Sequence, residues 1–299
     1  MFQQSPALLL GSAFLLSLLV GSFLNVVIHR LPIMLDRQWR AQANDMLADP
    51  AAPAPHTERE PARYNLVVPR SACPHCGALI LAHQNIPVVS WLLLRGKCAN
   101  CKARISPRYP IVELATAILS VAVVWRFGWH WQSVAALFFT WALVALTVID
   151  LDHQILPDLI TLPLLWLGLL ASLAWGDMLA PPIPADPASA ILGAAAGYLS
   201  LWSVYWAFKL ATGKEGMGYG DFKLFGALGA WMGWQMLPLI LLLSAFTGAV
   251  VGIVLIVARG RDRNIPIPFG PYLAAAGWIA LMWGPQIVGG YLAFSGLGR

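Results

Sequence analysis

The amino-acid sequence predicts an all-α polytopic membrane protein with about eight transmembrane helices and a small cytosolic four-cysteine module between helices 1 and 2. Three observations carry this reading. Of 299 residues, 59% are hydrophobic and only 11% charged, where a soluble domain is nearer half apolar and a quarter charged. Apolar runs of close to twenty residues recur, long enough to cross a hydrocarbon core about 30 Å thick. The basic residues collect on one side of those runs, as the positive-inside rule demands.

The candidate spans are 8–28, 110–126, 133–150, 159–176, 188–209, 221–234, 236–258 and 270–294. The first, "LLLGSAFLLSLLVGSFLNVVI", lacks a basic leading region and is too long for the apolar part of a cleaved signal, so it is expected to stay as a span. With the N-terminus outside, the segments 30–108, 150–158, 209–223 and 259–269 face the cytosol and hold 17 of the 19 Lys and Arg; only Arg126 and Arg299 fall opposite. The net charge of +5 then needs no nucleic acid, because anionic lipid headgroups suffice. Inside the polar block 31–108, residues 40–63 are rich in Ala, Pro and charge and predict a short helix followed by a linker without a core. The Pro-rich stretch 175–189 is expected as an outer loop, and no internal repeat is evident. Tryptophan clusters such as "WRFGWHW" (125–131) read as interfacial belt and packing, with His130 solvated.

All four cysteines lie in the second half of the polar block, as "CPHC" and "CANC": Cys73, Cys76, Cys98 and Cys101. Two CxxC pairs separated by 21 residues have the spacing of a zinc ribbon. Four thiolates complete a tetrahedral Zn²⁺ shell, which makes the site structural and His75 surplus. The bland alternatives are reduced core cysteines or a redox pair. A module this small gains its fold from such a staple, and the cytosolic side disfavours disulfides.

A carboxylate within a membrane helix is expensive and reads as functional. Asp221 opens the sixth span, directly after "GKEGMGYG", and needs a partner on the same face. "VIDLDHQILPD" offers Asp150, Asp152 and Asp158. Asp150 follows an apolar run and is expected to end its helix; Asp152 reads as solvated; Asp158, after Pro157, reads first as a helix cap. If the third and sixth spans pack together, Asp150 and Asp221 face each other across a wet cleft. Two close carboxylates share a proton. The ionised one then takes a proton from water while the other protonates a scissile carbonyl, as in aspartic proteases. Gly216, Gly218 and Gly220 keep the preceding segment from forming a stable helix and allow close backbone approach. Unwound backbone at membrane depth is tolerated only beside protein or a wet cavity, and an extended substrate pairs with such backbone by strand addition. Lys223 is expected to snorkel to the rim, and Lys214 with Glu215 to form a weak local pair.

These residues resemble a known family. "GYGD" (218–221), the D-x-D-x-x-x-x-P-D run of 150–158, "GSFLNVVIHRLP" (21–32), the paired CxxC module and "ISPRYPIVELATA" (105–117) are similar to the bacterial type IV prepilin peptidases, intramembrane aspartic proteases of the GxGD type. The resemblance covers nearly the whole chain. It implies removal of the leader of prepilins and pseudopilins of type IV pilus and type II secretion systems at the cytosolic face of the bacterial inner membrane, followed by methylation of the new N-terminal amine with S-adenosylmethionine. It implies Asp150 and Asp221 as catalytic, with Gly218, Gly220, Asp152 and Asp158 as motif support, and Cys73, Cys76, Cys98 and Cys101 as zinc ligands. It divides the chain into a first transmembrane helix (1–30), a cytosolic loop (31–108) with its zinc module at about 70–108, and a transmembrane peptidase domain (109–299). No glycine-rich methyltransferase signature is present. The methyl donor would be sought around Asn25, Arg30, Gly96 and Glu113, each of which also has a structural reading that we favour. The rival functions are a proton- or ion-coupled carrier using the rim carboxylates and an assembly scaffold docked through the cysteine module. Both aspartates lie at one face rather than at the midplane, which counts against a carrier, and a scaffold leaves them without a role.

Overall fold

The computed structural model describes residues 5–47, 63–174, 185–259 and 267–296. Among these the chain forms α1 (Pro6–Leu47), α2 (Val89–Leu93), α3 (Arg108–Phe127), α4 (Trp131–His153), α5 (Asp158–Leu173), α6 (Pro187–Thr212), α7 (Tyr219–Met232), α8 (Leu237–Arg259) and α9 (Gly270–Phe294). No strand forms among the described residues beyond two isolated bridges. Each candidate span falls on one of the helices, and five segments are long and apolar enough to cross a membrane: Pro6–Leu47, Arg108–Phe127, Trp131–His153, Pro187–Thr212 and Trp234–Ala258. Of the eight expected spans, these five meet the requirement on length and composition. Of the others, α5 is a shorter apolar helix of 16 residues, and α7, with 14, is about 21 Å long.

The chain forms two compact units, Met1–Gly11 with Leu119–Arg299, and Ser12–Ile118. In the larger unit α7 is the centre: from Asp221 to Met232 every residue except Lys223 is buried. A helix apolar on all sides is a core helix, and α5, α6 and α9 surround this one. Contact with α4 comes through Phe139 against Trp231, with ring centroids 5.2 Å apart. Trp231 Nε1 also donates to the Leu164 carbonyl of α5 at 2.8 Å.

The α6–α7 contact is backbone on backbone. A Cβ added at Gly193 would run into the Gly229 carbonyl, and one at Gly229 into that of Gly193. A Cβ added at Gly197 would meet Phe225 O at 2.6 Å in the same way. "GAAAG" (193–197) is the small-xxx-small pattern that lets membrane helices pack closely.

The helix expected at the start of 40–63 is no separate element. It is the end of α1, which runs 42 residues through Pro32 without a break. Beyond Leu35 its residues are exposed, with Arg40 paired to Asp36 at 2.9 Å, one turn earlier. The rest of that linker, most of the 175–189 loop and most of the 259–269 turn lie outside the described residues.

In the smaller unit α1 and α3 touch at Gly21, whose added Cβ would lie 2.7 Å from Glu113 Cα. Two cysteine knuckles follow the same plan. Cys73 N donates to Ala78 O and Cys98 N to Ala103 O, at 2.9 and 2.8 Å. Gly77 N and Lys102 N return to the Cys73 and Cys98 carbonyls. The bridges Ala72–Leu79 and Lys97–Arg104 close the two loops. A repeat that the sequence reading missed is therefore present, with every residue of the second knuckle 25 positions after its counterpart. It was hidden because only the cysteines and one alanine match.

Candidate active site and metal centre

Asp150 does not end its helix. α4 continues to His153 and stops when Gln154 adopts a left-handed conformation (φ 54°) and donates its N–H to Asp150 O. Asp150 therefore sits one turn inside α4, 5% exposed. Its Oδ2 accepts the N–H of Gly270, the first residue of α9, at 3.0 Å. Asp221 is 7% exposed and occupies the third position of α7, where its Oδ2 accepts the N–H of Gly218, the residue capping the helix, at 3.2 Å. Each carboxylate thus rests on a helix N-terminus, where free N–H groups and the helix dipole favour negative charge.

The chain beside each carboxylate closes on Leu156, in the α4–α5 turn. A Cβ on Gly220 would lie 2.7 Å from Leu156 Cβ, and one on Gly270 3.1 Å from Leu156 Cδ2 and 2.5 Å from Asp150 Oδ2. The glycines at 220 and 270 are what let three chain segments close on this one leucine. Sequence reading found Gly220 but missed Gly270 and Leu156. A backbone N–H exists at almost every residue, so the only available signal for Gly270 was a glycine at a helix start beside Pro271.

The other acidic candidates lie differently. Asp152 is exposed in the last turn of α4. Asp158 is not a cap: Pro157 holds that position without a side-chain bond, and both Asp158 oxygens accept from Lys223 Nζ at 2.7 Å. Lys223 therefore ties α7 to α5 instead of snorkelling. The expected Lys214–Glu215 pair is also replaced. Glu215 binds Lys209 at 2.7 Å, because Gly213 turns the chain back over the last turn of α6. That bond to Lys209 holds the Glu215 carboxyl below the usual carboxylate range.

The four sulfurs of Cys73, Cys76, Cys98 and Cys101 lie within 4.8 Å of one another, and Cys73 Sγ is 3.8 Å from Cys101 Sγ. That is far beyond an S–S bond and matches the edge of about 3.8 Å that a tetrahedron with 2.3 Å metal–sulfur bonds requires. Hydrogen bonds from the Ala78 backbone and the Asn100 side chain draw the Cys76 thiol down to about 6. Cys98 is lowered by the backbones of Cys101 and Asn100. At Cys101 the Ala103 backbone lowers the thiol, but burial with the neighbouring Cys76 and Cys98 outweighs it and pushes it to about 11. The first thiolates form readily and the last awaits a cation, so this donor set fits a divalent metal that prefers sulfur.

Asn25, Arg30, Gly96 and Glu113 all make structural contacts. Asn25 Nδ2 donates to Tyr109 O at 3.0 Å. Arg30 donates to the carbonyls of Asn65 and Pro69 at 2.9 and 2.6 Å, which pins the segment leading to the first knuckle. Gly96 has φ 65° and lies against the Trp91 ring. Glu113 accepts the N–H of Val88, itself at φ 59°, at 2.7 Å.

Residues 15–127 match the bacterial peptidase A24 N-terminal domain and residues 137–253 the type IV leader peptidase family. Among similar proteins are three described as prepilin leader peptidase/N-methyltransferase. That of Stutzerimonas stutzeri is 56% identical, covering 98% of this chain and 97% of its own. That of Pseudomonas aeruginosa is 57% identical over 94% and 93%, and that of Aeromonas hydrophila 58% identical over 96% and 95%. The chain belongs to the type IV leader peptidase family. No solved structure matches it. In the terms of the family alignment, the cysteine cluster lies in the N-terminal domain, and both Asp150 and Asp221 lie in the leader peptidase segment.

Proposed function

We infer that this protein is a bifunctional membrane enzyme that cleaves the leader from type IV prepilins and pseudopilins and then methylates the new N-terminal amine. The observation that carries the peptidase reading is the pair of buried carboxylates on α4 and α7, each oriented by one backbone N–H at a helix start, with Gly220 and Gly270 beside them both packed on Leu156. Asp150 and Asp221 act as the catalytic pair. One ionised carboxylate removes a proton from water while the other, protonated, donates to the carbonyl of the scissile bond; the roles then reverse as the amine leaves. Gly270 and Gly218 hold Oδ2 of each carboxylate, which leaves the other oxygen of each for water and the substrate carbonyl. Lys223 and Asp158 brace α7 against α5 beside the pair. The peptidase chemistry thus belongs to the 109–299 domain.

Cys73, Cys76, Cys98 and Cys101 hold a structural Zn²⁺, which shapes the module and leaves no open coordination position for catalysis. S-adenosylmethionine supplies the methyl group. The enzyme sits in the bacterial inner membrane with its N-terminus periplasmic and its zinc module cytosolic, as the one-sided basic residues favour. The deciding experiment incubates the purified protein in lipid with a prepilin and S-adenosylmethionine. Mass spectrometry then reads leader loss and one added methyl group. An intact prepilin after incubation with folded wild type would overturn the reading and return the carrier to first place.

Further outcomes are expected at the glycine beside Asp150 and at the metal site. Gly270→Ala drives a methyl into Asp150 Oδ2 and lowers kcat by about 10²-fold, the effect of an ångström-scale misplacement. A wild-type kcat in that variant would exclude Gly270 from the site. For the metal, Cys98→Ser or a zinc chelator opens the 63–108 module to limited proteolysis. Gly77→Ala weakens zinc retention, because Gly77 lies at φ 70°, whereas Lys102→Gly strengthens it by relieving a left-handed lysine at φ 60° worth about 1 kcal/mol.

A further inference from the structure

The connection from α6 to α7 contains three glycines in six residues, Gly213, Gly216 and Gly218, and every residue from Gly213 to Gly218 except Met217 is exposed. Such a chain has wide conformational freedom. Yet Gly218 must present its N–H to Asp221 at hydrogen-bonding distance. Something has to hold the loop.

The ion pair of Lys209 and Glu215 sits three residues before Gly218. Lys209 Nζ, in the last turn of α6, reaches Glu215 Oε1 at 2.7 Å and the hydroxyl of Tyr205 at 3.2 Å. Tyr205 is 2% exposed and so provides a fixed base. Its ring also lies against Tyr219 and Phe222, at centroid distances of 5.3 and 5.6 Å. Those two residues flank Gly220 and Asp221 in the chain. One buried tyrosine therefore touches the latch on one side and the first turn of α7 on the other. Phe208 adds a wall under Gly216, where a Cβ would meet its ring at 2.9 Å.

Resting on the assignment of Asp221 to the catalytic pair, we propose that Lys209 and Glu215, with Tyr205 behind them, are positioning residues that pin the glycine loop and thereby orient the Asp221 carboxylate for peptide cleavage. Neither side chain touches substrate. Their work is to keep the Gly218 N–H in place while the loop stays open to an incoming peptide. A half-exposed ion pair contributes little to global stability, so its effect falls on the loop it anchors and not on the fold.

The test uses the full-length protein in lipid nanodiscs and a prepilin peptide spanning the cleavage site. Lys209→Met and Glu215→Gln are compared with the exchanged pair Lys209→Glu/Glu215→Lys. Each single variant is expected to lose about fivefold in kcat with KM within about twofold, the signature of a group acting on transition-state geometry rather than on binding. Amide hydrogen exchange across 213–218 rises in both, and the exchanged pair recovers most of the rate and of the protection. Unchanged kcat in the single variants, a loss seen only in KM, or an exchanged pair as slow as the singles each overturn the latch. None of those results touches the dyad, which stands or falls on Asp150→Asn and Asp221→Asn. A wild type that cleaves nothing removes the dyad and the latch together.

Discussion

Asp150→Asn and Asp221→Asn each remove cleavage, with kcat falling by about 10³-fold or more, the scale of a lost general acid or base. The substitution is well matched to the geometry. An asparagine oxygen still accepts the N–H of Gly270 or of Gly218, so the variant keeps the hydrogen bond that orients the side chain. What it loses is the ability to carry the shared proton. The double variant is no slower than either single one, because members of one catalytic unit are not additive. Asp152→Asn stays near wild type, since that residue is exposed on the last turn of α4. Asp158→Asn falls between, acting through the Lys223 contact to α7. Cleavage retained by Asp150→Asn with loss in Asp152→Asn would move the partner of Asp221 to the wrong side of the helix and refute the site as described.

The second large effect is on folding. Gly229→Ala places a methyl in the Gly193 backbone, and Gly193→Ala does the same in reverse. No rotamer relieves a clash with main chain, so the helices must separate. Overpacking of this kind is destabilising by about 1–3 kcal/mol, and Gly229→Val by more. The control is Gly289→Ala in α9, where a new Cβ meets nothing within 4 Å and helix propensity improves by about 1 kcal/mol. Thermal unfolding in detergent should therefore show a marked fall for the first two and none for the third. Equal melting temperatures for Gly229→Ala and Gly289→Ala would mean that the α6–α7 contact carries no weight.

What the sequence made legible was chemistry that residue types announce by themselves. Four cysteines at ribbon spacing, a carboxylate after an apolar run and an aspartate behind GxG are costly choices in a membrane protein, and the structure brings each set together. What stayed hidden was the identity of partners. Lys223 could pair with any nearby acid, and only the packing of α5 on α7 selects Asp158. Glu215 had a lysine next to it in the chain, but adjacent side chains diverge, and the turn at Gly213 delivered Lys209. The Gly193-Ala-Ala-Ala-Gly197 pattern went unread in the sequence, and nothing in it names Gly229. Gly270 contributes a main-chain group to Asp150 across 120 positions, a contact that no residue-type pattern encodes. The length of α1 was hidden because the apolar run of the first span stops near residue 28 and the helix expected in 40–63 read as a separate piece, whereas the chain continues helical through Pro32, where proline removes only one hydrogen bond.

That long helix acts as a ruler. At 1.5 Å per residue, its 42 residues measure about 63 Å, twice the thickness of the hydrocarbon layer. Counting from Arg30, the remaining stretch to Leu47 rises about 25 Å. From Arg30 to Leu47 the helix is therefore a stiff mast, exposed from Asp36 onward. Arg37 and Arg40 stand at successive heights on that mast, about 10 and 15 Å above Arg30. With screening over about 8 Å in physiological salt, a charge acting at the level of the buried Arg30 has faded by Arg40.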